Sequence, residues 1–288
     1  LLIVFQIEYI LKEQTIQQLN NMNQIKIRGN TIYYNELNQN KTEVILLVHG
    51  HPFNHTMWKY QYDTLNNFRL ILPDLKGYGK SDYQFDKIYI EEQALDLALL
   101  LDDLAIEKVH LIGLSMGGQI IVEFQRLFPS RVKSLVICAS TPNAETNESY
   151  TNRLKLAETI SKTGMLEYTK IDIHKYINVT QITPESETYQ HLFKMMSETN
   201  VEGAIASHKG RAERRDNFNH LKNIKLPTLV IAGEKDYFFK VNDVEKVANE
   251  IEGAAFGIIE NSGHLPNMER PEAFNKIIQS FYRKLKSQ

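Results

Sequence analysis

One cysteine, Cys138, is all the thiol chemistry in 288 residues, so an internal disulfide is impossible and a cysteine-ligated zinc site is excluded by count. A reducing compartment fits such a chain, and the cytoplasm is the expected location. A charge excess is missing too. Thirty-three Lys and Arg face 35 Asp and Glu, a formal net charge of -2, with no long block of either sign. That balance argues against nucleic acid or an anionic membrane as the main partner. No apolar run approaches the roughly 18 residues needed to cross a bilayer, so no transmembrane span is predicted. The apolar start Leu1 to Phe5 has no basic residues before it and no small-residue cleavage site, so a secretion signal is not expected. Glycine (14) and proline (8) are too scarce for a fibrous repeat or a disordered chain, and 42% hydrophobic residues suit a globular one.

Residues 6 to 24 are rich in Gln, Asn and Ile without clear periodicity, and a folded pattern begins only at Met22. Residues 1–21 are therefore read as a non-native or upstream N-terminal extension, the alternative being an ordinary N-terminal helix. From there the chain alternates. Ile25 to Ile27 and Thr31 to Glu36 flank the turn-forming Arg28-Gly29-Asn30 and predict an antiparallel hairpin. Val44 to Val48 is a continuous apolar run, as expected of a strand buried on both faces. Leu70 to Leu72, Val109 to Ile112, Leu135 to Cys138, Thr228 to Ile231 and Ala255 to Ile259 predict five more buried strands. Helical spacing fills Glu91 to Leu104, Gly117 to Phe128, Val241 to Ile251 and Pro271 to Leu285. The fold class is α/β: a mostly parallel, eight-stranded-type sheet flanked by helices on right-handed crossovers. One interruption, residues 141–220, carries charged helical patterns and no convincing strand. It predicts a helical cap inserted into a core made of residues 22–140 and 221–288. Ligands of such sheets sit beyond the carboxyl ends of the strands, the edge this cap would cover.

Gly113-Leu114-Ser115-Met116-Gly117 follows a predicted strand and opens a predicted helix. Glycines two residues either side of the serine make room for a strained strand-to-helix turn that lifts a nucleophile above the sheet edge. The bland alternative is a glycine-rich turn whose serine caps the helix. A serine hydroxyl needs a base within hydrogen-bond reach and a third group to orient that base. His264 stands in a loop just after the last predicted strand and is the best placed of nine histidines. His110 lies inside a strand, and His174, His191, His208 and His220 belong to the cap. Asp236 follows the preceding strand, with Glu234 as its rival. The chain order Ser, Asp, His, each after a different strand, matches the sheet of the α/β hydrolases.

Acyl transfer also requires two amide N–H groups aimed at the developing oxyanion. Met116 follows the nucleophile at a helix N-terminus, and His51 follows His49-Gly50 at the end of the first central strand. Pro52 has no N–H to offer. The backbones of His51 and Met116 are therefore the expected oxyanion hole, and the side chains of His49 and His51 are expected to be structural.

From about residue 25 onward the sequence resembles the α/β-hydrolase superfamily with a helical cap. His49-Gly50-His51-Pro52 followed by Trp58 resembles the oxyanion loop of small esterases. Asp74-Leu75-Lys76-Gly77-Tyr78-Gly79-Lys80-Ser81 is similar to the family's Asp-x-x-Gly-x-Gly-x-Ser loop, whose aspartate is expected to bond local backbone. Leu226-Pro227-Thr228-Leu229-Val230 before Gly233 and Asp236 is a further family signature. Epoxide hydrolases and haloalkane dehalogenases carry aspartate where this chain has Ser115. The Ser-Met-Gly-Gly elbow is similar to those of carboxylesterases, enol-lactonases and a menaquinone-pathway synthase, but Gln119 stands where that synthase carries arginine. Ala212-Glu213-Arg214-Arg215-Asp216 resembles enol-lactonases and related esterases.

The resemblance implies a serine hydrolase of a small carboxylic ester, thioester or lactone, with catalytic Ser115, Asp236 and His264. A carbon-carbon bond hydrolase or eliminating synthase on the same residues is the second reading, and a non-enzymatic ligand sensor on the hydrolase fold the third. The expected partner is a small-molecule acyl substrate, with no metal and no nucleotide cofactor. Phe53, Trp58 and the segment Tyr168 to His208 are the expected pocket residues. Arg211, Arg214 and Arg215 read as a solvated helix face rather than a carboxylate site, and Cys138 as a small hydrophobe in a buried strand.

Overall fold

In the computed structural model, which describes residues 22–84 and 86–286, side-chain alternation along β3 (Val44–Val48) feeds two separate cores. Ile45 and Leu47 enter one, and Val44, Leu46 and Val48 enter the other. Both faces of this strand are dry, which is why it is apolar without interruption. The expectation for residues 1–21 lies outside the described residues.

The remaining strands are β1 (Asn23–Ile27), β2 (Asn30–Leu37), β4 (Arg69–Pro73), β5 (Val109–Leu114), β6 (Val132–Cys138), β7 (Thr228–Gly233) and β8 (Ala255–Ile259). They form one eight-stranded sheet in the order β1-β2-β4-β3-β5-β6-β7-β8. β1, β2 and β4 pair antiparallel, and all pairs from β4 through β8 are parallel. The hairpin at the start and the parallel remainder agree with the sequence reading. One strand departs from it: among the described residues β8 is an edge strand bonded only to β7, and Ala255 and Ile258 are exposed rather than buried.

Helices α1 (Ile90–Asp103), α2 (Met116–Leu127) and α6 (Val241–Asn249) pack on the face carrying Leu46 and Val48. The 3₁₀ turns His55–Gln61 and helix α8 (Pro271–Lys286) pack on the other. Between β6 and β7 lie α3 (Asn147–Asp172, broken at Gly164), α4 (Glu187–Ser197) and α5 (Val201–Ala212). Thr146, Ser186 and Asn200 cap these three helices by accepting an N–H from the first turn. Ile160, Met165, Leu192, Met196 and Ala204 of this segment join the same core as Ile45 and Phe274, so the three helices are packed onto the sheet domain and share its apolar interior. Among the described residues no helix is long and apolar enough to cross a membrane.

Candidate active site

The chain runs outward from β3 to β4 and then returns to lay β5 on the other side of β3. Such a reversal opens a crevice beyond the carboxyl ends of the two strands. The residues that follow β3 and β5 are His49-Gly50-His51 and Ser115, so topology alone brings the sequence's two chief motifs together.

Ser115 has φ 57° and ψ -117°, a conformation that side chains resist, and its strain is held by neighbours on both sides. The Ser115 N–H donates to the Cys138 carbonyl at 2.9 Å, and the Ser140 hydroxyl donates to the Ser115 carbonyl at 2.7 Å. The flanking glycines are sterically obligatory. A Cβ on Gly117 would lie 2.1 Å from the Val48 carbonyl oxygen, and one on Gly113 would lie 2.4 Å from that of Gly117. Cys138, which pairs with Leu114 in the β5–β6 register, is fully buried, and burial pushes its thiol pKa up.

His264 Nδ1 and Asp236 Oδ2 are 2.9 Å apart, and both side chains are buried. The other carboxylate oxygen accepts the N–H groups of Phe238 at 2.8 Å and Phe239 at 3.2 Å. Asp236 thus accepts backbone N–H groups on one oxygen and faces His264 Nδ1 with the other, an arrangement that suits an imidazole donating from Nδ1 and presenting Nε2 to the cavity. Its rival Glu234 instead accepts the Asn261 N–H and pairs with Lys235 on the surface. Phe238, Phe239 and Tyr176 enclose the imidazole, with ring centroids at 4.9, 5.8 and 5.9 Å.

Beyond β3 some of the loop amides are already engaged. Phe53 N–H donates to the Gly50 carbonyl, His55 N–H to Asp74 Oδ1, and Pro52 has none. His51 N–H and Asn54 N–H have no acceptor among the described residues, and Met116 N–H, at the first position of α2, has none within its own helix, so the two expected donors are available without being the sole candidates. The His49 side chain is structural: Nδ1 donates to the Gly50 carbonyl at 2.8 Å and Nε2 accepts the Leu75 N–H at 2.9 Å. Burial lowers its pKa to about 4, which keeps it neutral for that role. Asp74 accepts the N–H groups of His55 and Lys80, the local backbone bonding the motif suggested.

Ser115, His264 and His51 line one cavity of about 310 Å³ between the sheet edge and helices α3 and α5, at the small end of ligand sites. Phe53 and Trp58 do not line it. Both are fully buried in the core, where Phe53 packs edge-on against Tyr176, itself a wall of the cavity. Their aromatic character reflects packing, which sequence spacing could not separate from ligand contact. The arginines are a larger correction. Arg211 and Arg214 are buried and line the cavity, and only Arg215 is exposed. A polar helix face reads as solvated from sequence, but α5 turns that face toward the sheet edge. Arg153 and Glu145, which motif reasoning did not single out, join them: Glu145 accepts from both Arg153 and Arg214.

Another residue escaped the sequence reading. Glu269, in the short helix α7 (Pro266–Glu269), is buried and accepts the N–H groups of Gly263 and Leu265 around His264. The only available signal was an acid five residues past the histidine, after a proline that starts a helical turn.

A family model described as alpha/beta hydrolase fold matches residues 43–271. Among solved structures, a thermophilic esterase from Thermogutta terrifontis superposes with a TM-score of 0.85 at 31% identity, over 92% of this chain and 98% of that one. A putative 2-succinyl-6-hydroxy-2,4-cyclohexadiene-1-carboxylate synthase of Bacillus subtilis is 26% identical over 84% of this chain and 91% of its own length. A 3-oxoadipate enol-lactonase of Acinetobacter baylyi is 26% identical over 81% of this chain and 85% of its own. With its strand order, elbow and Ser-Asp-His succession in agreement with that match, the chain belongs to the alpha/beta hydrolase fold family.

Proposed function

We propose that the protein is a serine hydrolase that cleaves a small carboxylic ester, thioester or lactone through an acyl-enzyme. The observation that carries this reading is the His264–Asp236 bond behind an imidazole that shares its cavity with Ser115. Ser115 Oγ attacks the acyl carbon and passes its proton to His264 Nε2. The carbonyl π electrons move to oxygen, and that oxyanion accepts hydrogen bonds donated by the N–H groups of His51 and Met116. Asp236 stabilises the imidazolium. Collapse of the tetrahedral intermediate expels the alkoxide or thiolate, which takes the proton from His264. Water then repeats the sequence on the acyl-enzyme and releases the acid.

The esterase and the enol-lactonase named above act on ester bonds, open-chain and cyclic, and their similarity to this chain supports the substrate class. The test is a panel of short acyl esters and lactones offered to the wild type and to Ser115→Ala. The variant is expected to lose about 1,000-fold or more in kcat. Equal turnover by the two proteins would remove Ser115 from the mechanism.

A further inference from the structure

Three arginines line the candidate cavity against one carboxylate, Glu145, a formal excess of two positive charges in a space roofed by the cap helices. Two of the arginines are accounted for. Arg153 Nε donates to Glu145 at 2.7 Å, and Arg214 pairs with the same carboxylate while its Nε donates to the Asn143 carbonyl at 2.7 Å. Arg211 is not accounted for. Its exposure is 6%, it forms no ion pair among the described residues, and its buried Nε has no hydrogen-bond partner. The charged and polar groups that act on it are the like-charged Arg153 and the phenols of Tyr78, Tyr176 and Tyr168, whose pKa values burial raises, so none supplies a counter-charge.

A second orphan adjoins it. His208 lies three residues earlier on α5, hence on the same helix face. Both its ring nitrogens are buried without a partner. Its ring centroid is 4.4 Å from that of His51, whose backbone N–H is the candidate oxyanion donor. A line of groups therefore runs from the sheet edge into the cap: His51, His208, Arg211. Burial lowers the Arg211 pKa to about 9, and the guanidinium remains charged at neutral pH. An unpaired buried cation is costly and leaves a counter-charge to be supplied from outside the chain.

We infer that the substrate carries a carboxylate remote from its scissile acyl group, bound by Arg211 with His208 as a second donor. The inference rests on the hydrolase reading for the reaction and on the cap geometry for the anion. The guanidinium fork matches a carboxylate with two parallel N–H···O bonds. His208 one turn away offers a neutral N–H to the same group or to the chain linking it to the ester. The substrates this selects are half-esters of short dicarboxylic acids, or lactones bearing a free acid.

The test measures binding and turnover separately. Titration calorimetry with glutarate compares the wild type, Arg211→Met and Arg211→Lys; binding is expected to weaken about 10- to 100-fold in Arg211→Met, and less in Arg211→Lys. Steady-state hydrolysis then compares methyl hydrogen glutarate with methyl pentanoate and with a phosphate-bearing ester of similar length. The wild type is expected to prefer the half-ester in kcat/KM by at least about 10-fold over both, and Arg211→Met to lose that preference. A wild type that prefers methyl pentanoate would overturn the inference without any variant, while the Ser115-dependent turnover upholds the hydrolase reading. Preference for the phosphate ester would overturn the carboxylate assignment. Arg211-dependent glutarate binding with no ester turned over would uphold the anion site and overturn the hydrolase reading.

Discussion

Glu269 holds the loop of His264 from both sides: its carboxylate accepts the Gly263 N–H at 2.9 Å and the Leu265 N–H at 3.0 Å. The same carboxylate accepts the Asn178 N–H at 2.7 Å, which ties the chain following α3 to the loop of the candidate base. Glu269 is thus a positioning residue for the imidazole, and the segment inserted between β6 and β7 is coupled to it.

Replacing Glu269 by alanine strands three amides at once. A buried amide left without its acceptor costs about 1–3 kcal/mol, so a substantial fall in thermal stability is expected. The loop carries the imidazole, so kcat is expected to fall about 10- to 100-fold with a smaller change in KM. Glu269→Gln, which keeps an acceptor, is expected to recover part of both. Steady-state kinetics beside a thermal melt check this, and a Glu269→Ala protein that melts low but keeps full kcat would leave Glu269 a purely structural role.

Asp236→Asn separates folding from chemistry. The Phe238 and Phe239 amides still find an oxygen acceptor, so the turn survives and the melting temperature is expected to stay within a few degrees. The amide nitrogen then faces His264 Nδ1 and favours the wrong tautomer. A loss of about 10,000-fold in kcat is expected, read from ester hydrolysis on protein with an unchanged circular dichroism spectrum.

The nucleophile occupies strained backbone, φ 57° and ψ -117°, that glycine adopts freely. Ser115→Gly is expected to abolish acyl transfer and to stabilise the protein by about 1 kcal/mol as the strain is relieved. Urea unfolding of the two proteins decides it: a midpoint below that of the wild type would show that the elbow stores no strain at this residue.

Acid is expected to destabilise the protein through buried histidines. Burial is the main cause that lowers His49 to about 4, with Asp74 opposing it and His55 adding to it. Burial, with Arg153 and Arg211 nearby, holds His51 and His208 well below the usual histidine value. The unfolded chain takes up these protons below about pH 6.5, whereas the native state does not, so the stability they contribute is complete above that pH. It declines as the pH falls toward 4, by about 3 kcal/mol for His49 alone. Urea midpoints at pH 7, 6 and 5 are expected to fall in that order, and a constant midpoint over the range would refute the buried neutral assignment.

Much of this was legible in the sequence because it is local. The β3 run Val44–Val48 and the elbow around Ser115 follow from burial on two faces and from steric contacts within a few residues. β8 misled because an apolar run looks alike at the centre and at the edge of a sheet. Glu234 and Asp236 were separable only by direction: two residues apart in one turn, one faces Asn261 at the surface and the other faces His264.

The cap marks the boundary most clearly. Helix α5, Val201–Ala212, is mostly small and polar residues, with Val201 and Ile205 its only large apolar side chains, so its periodicity does not show that the His208 and Arg211 side faces inward. Spacing alone places His208 and Arg211 on one side of that helix, because three residues make nearly one turn. Packing of α5 against α3 and over the crevice at β3 and β5 decides that this side meets the candidate nucleophile rather than water. Local sterics and hydrophobic pattern thus determine the sheet and its elbow. The burial of an unpartnered charge depends on which surfaces meet, and that is a property of the assembled molecule.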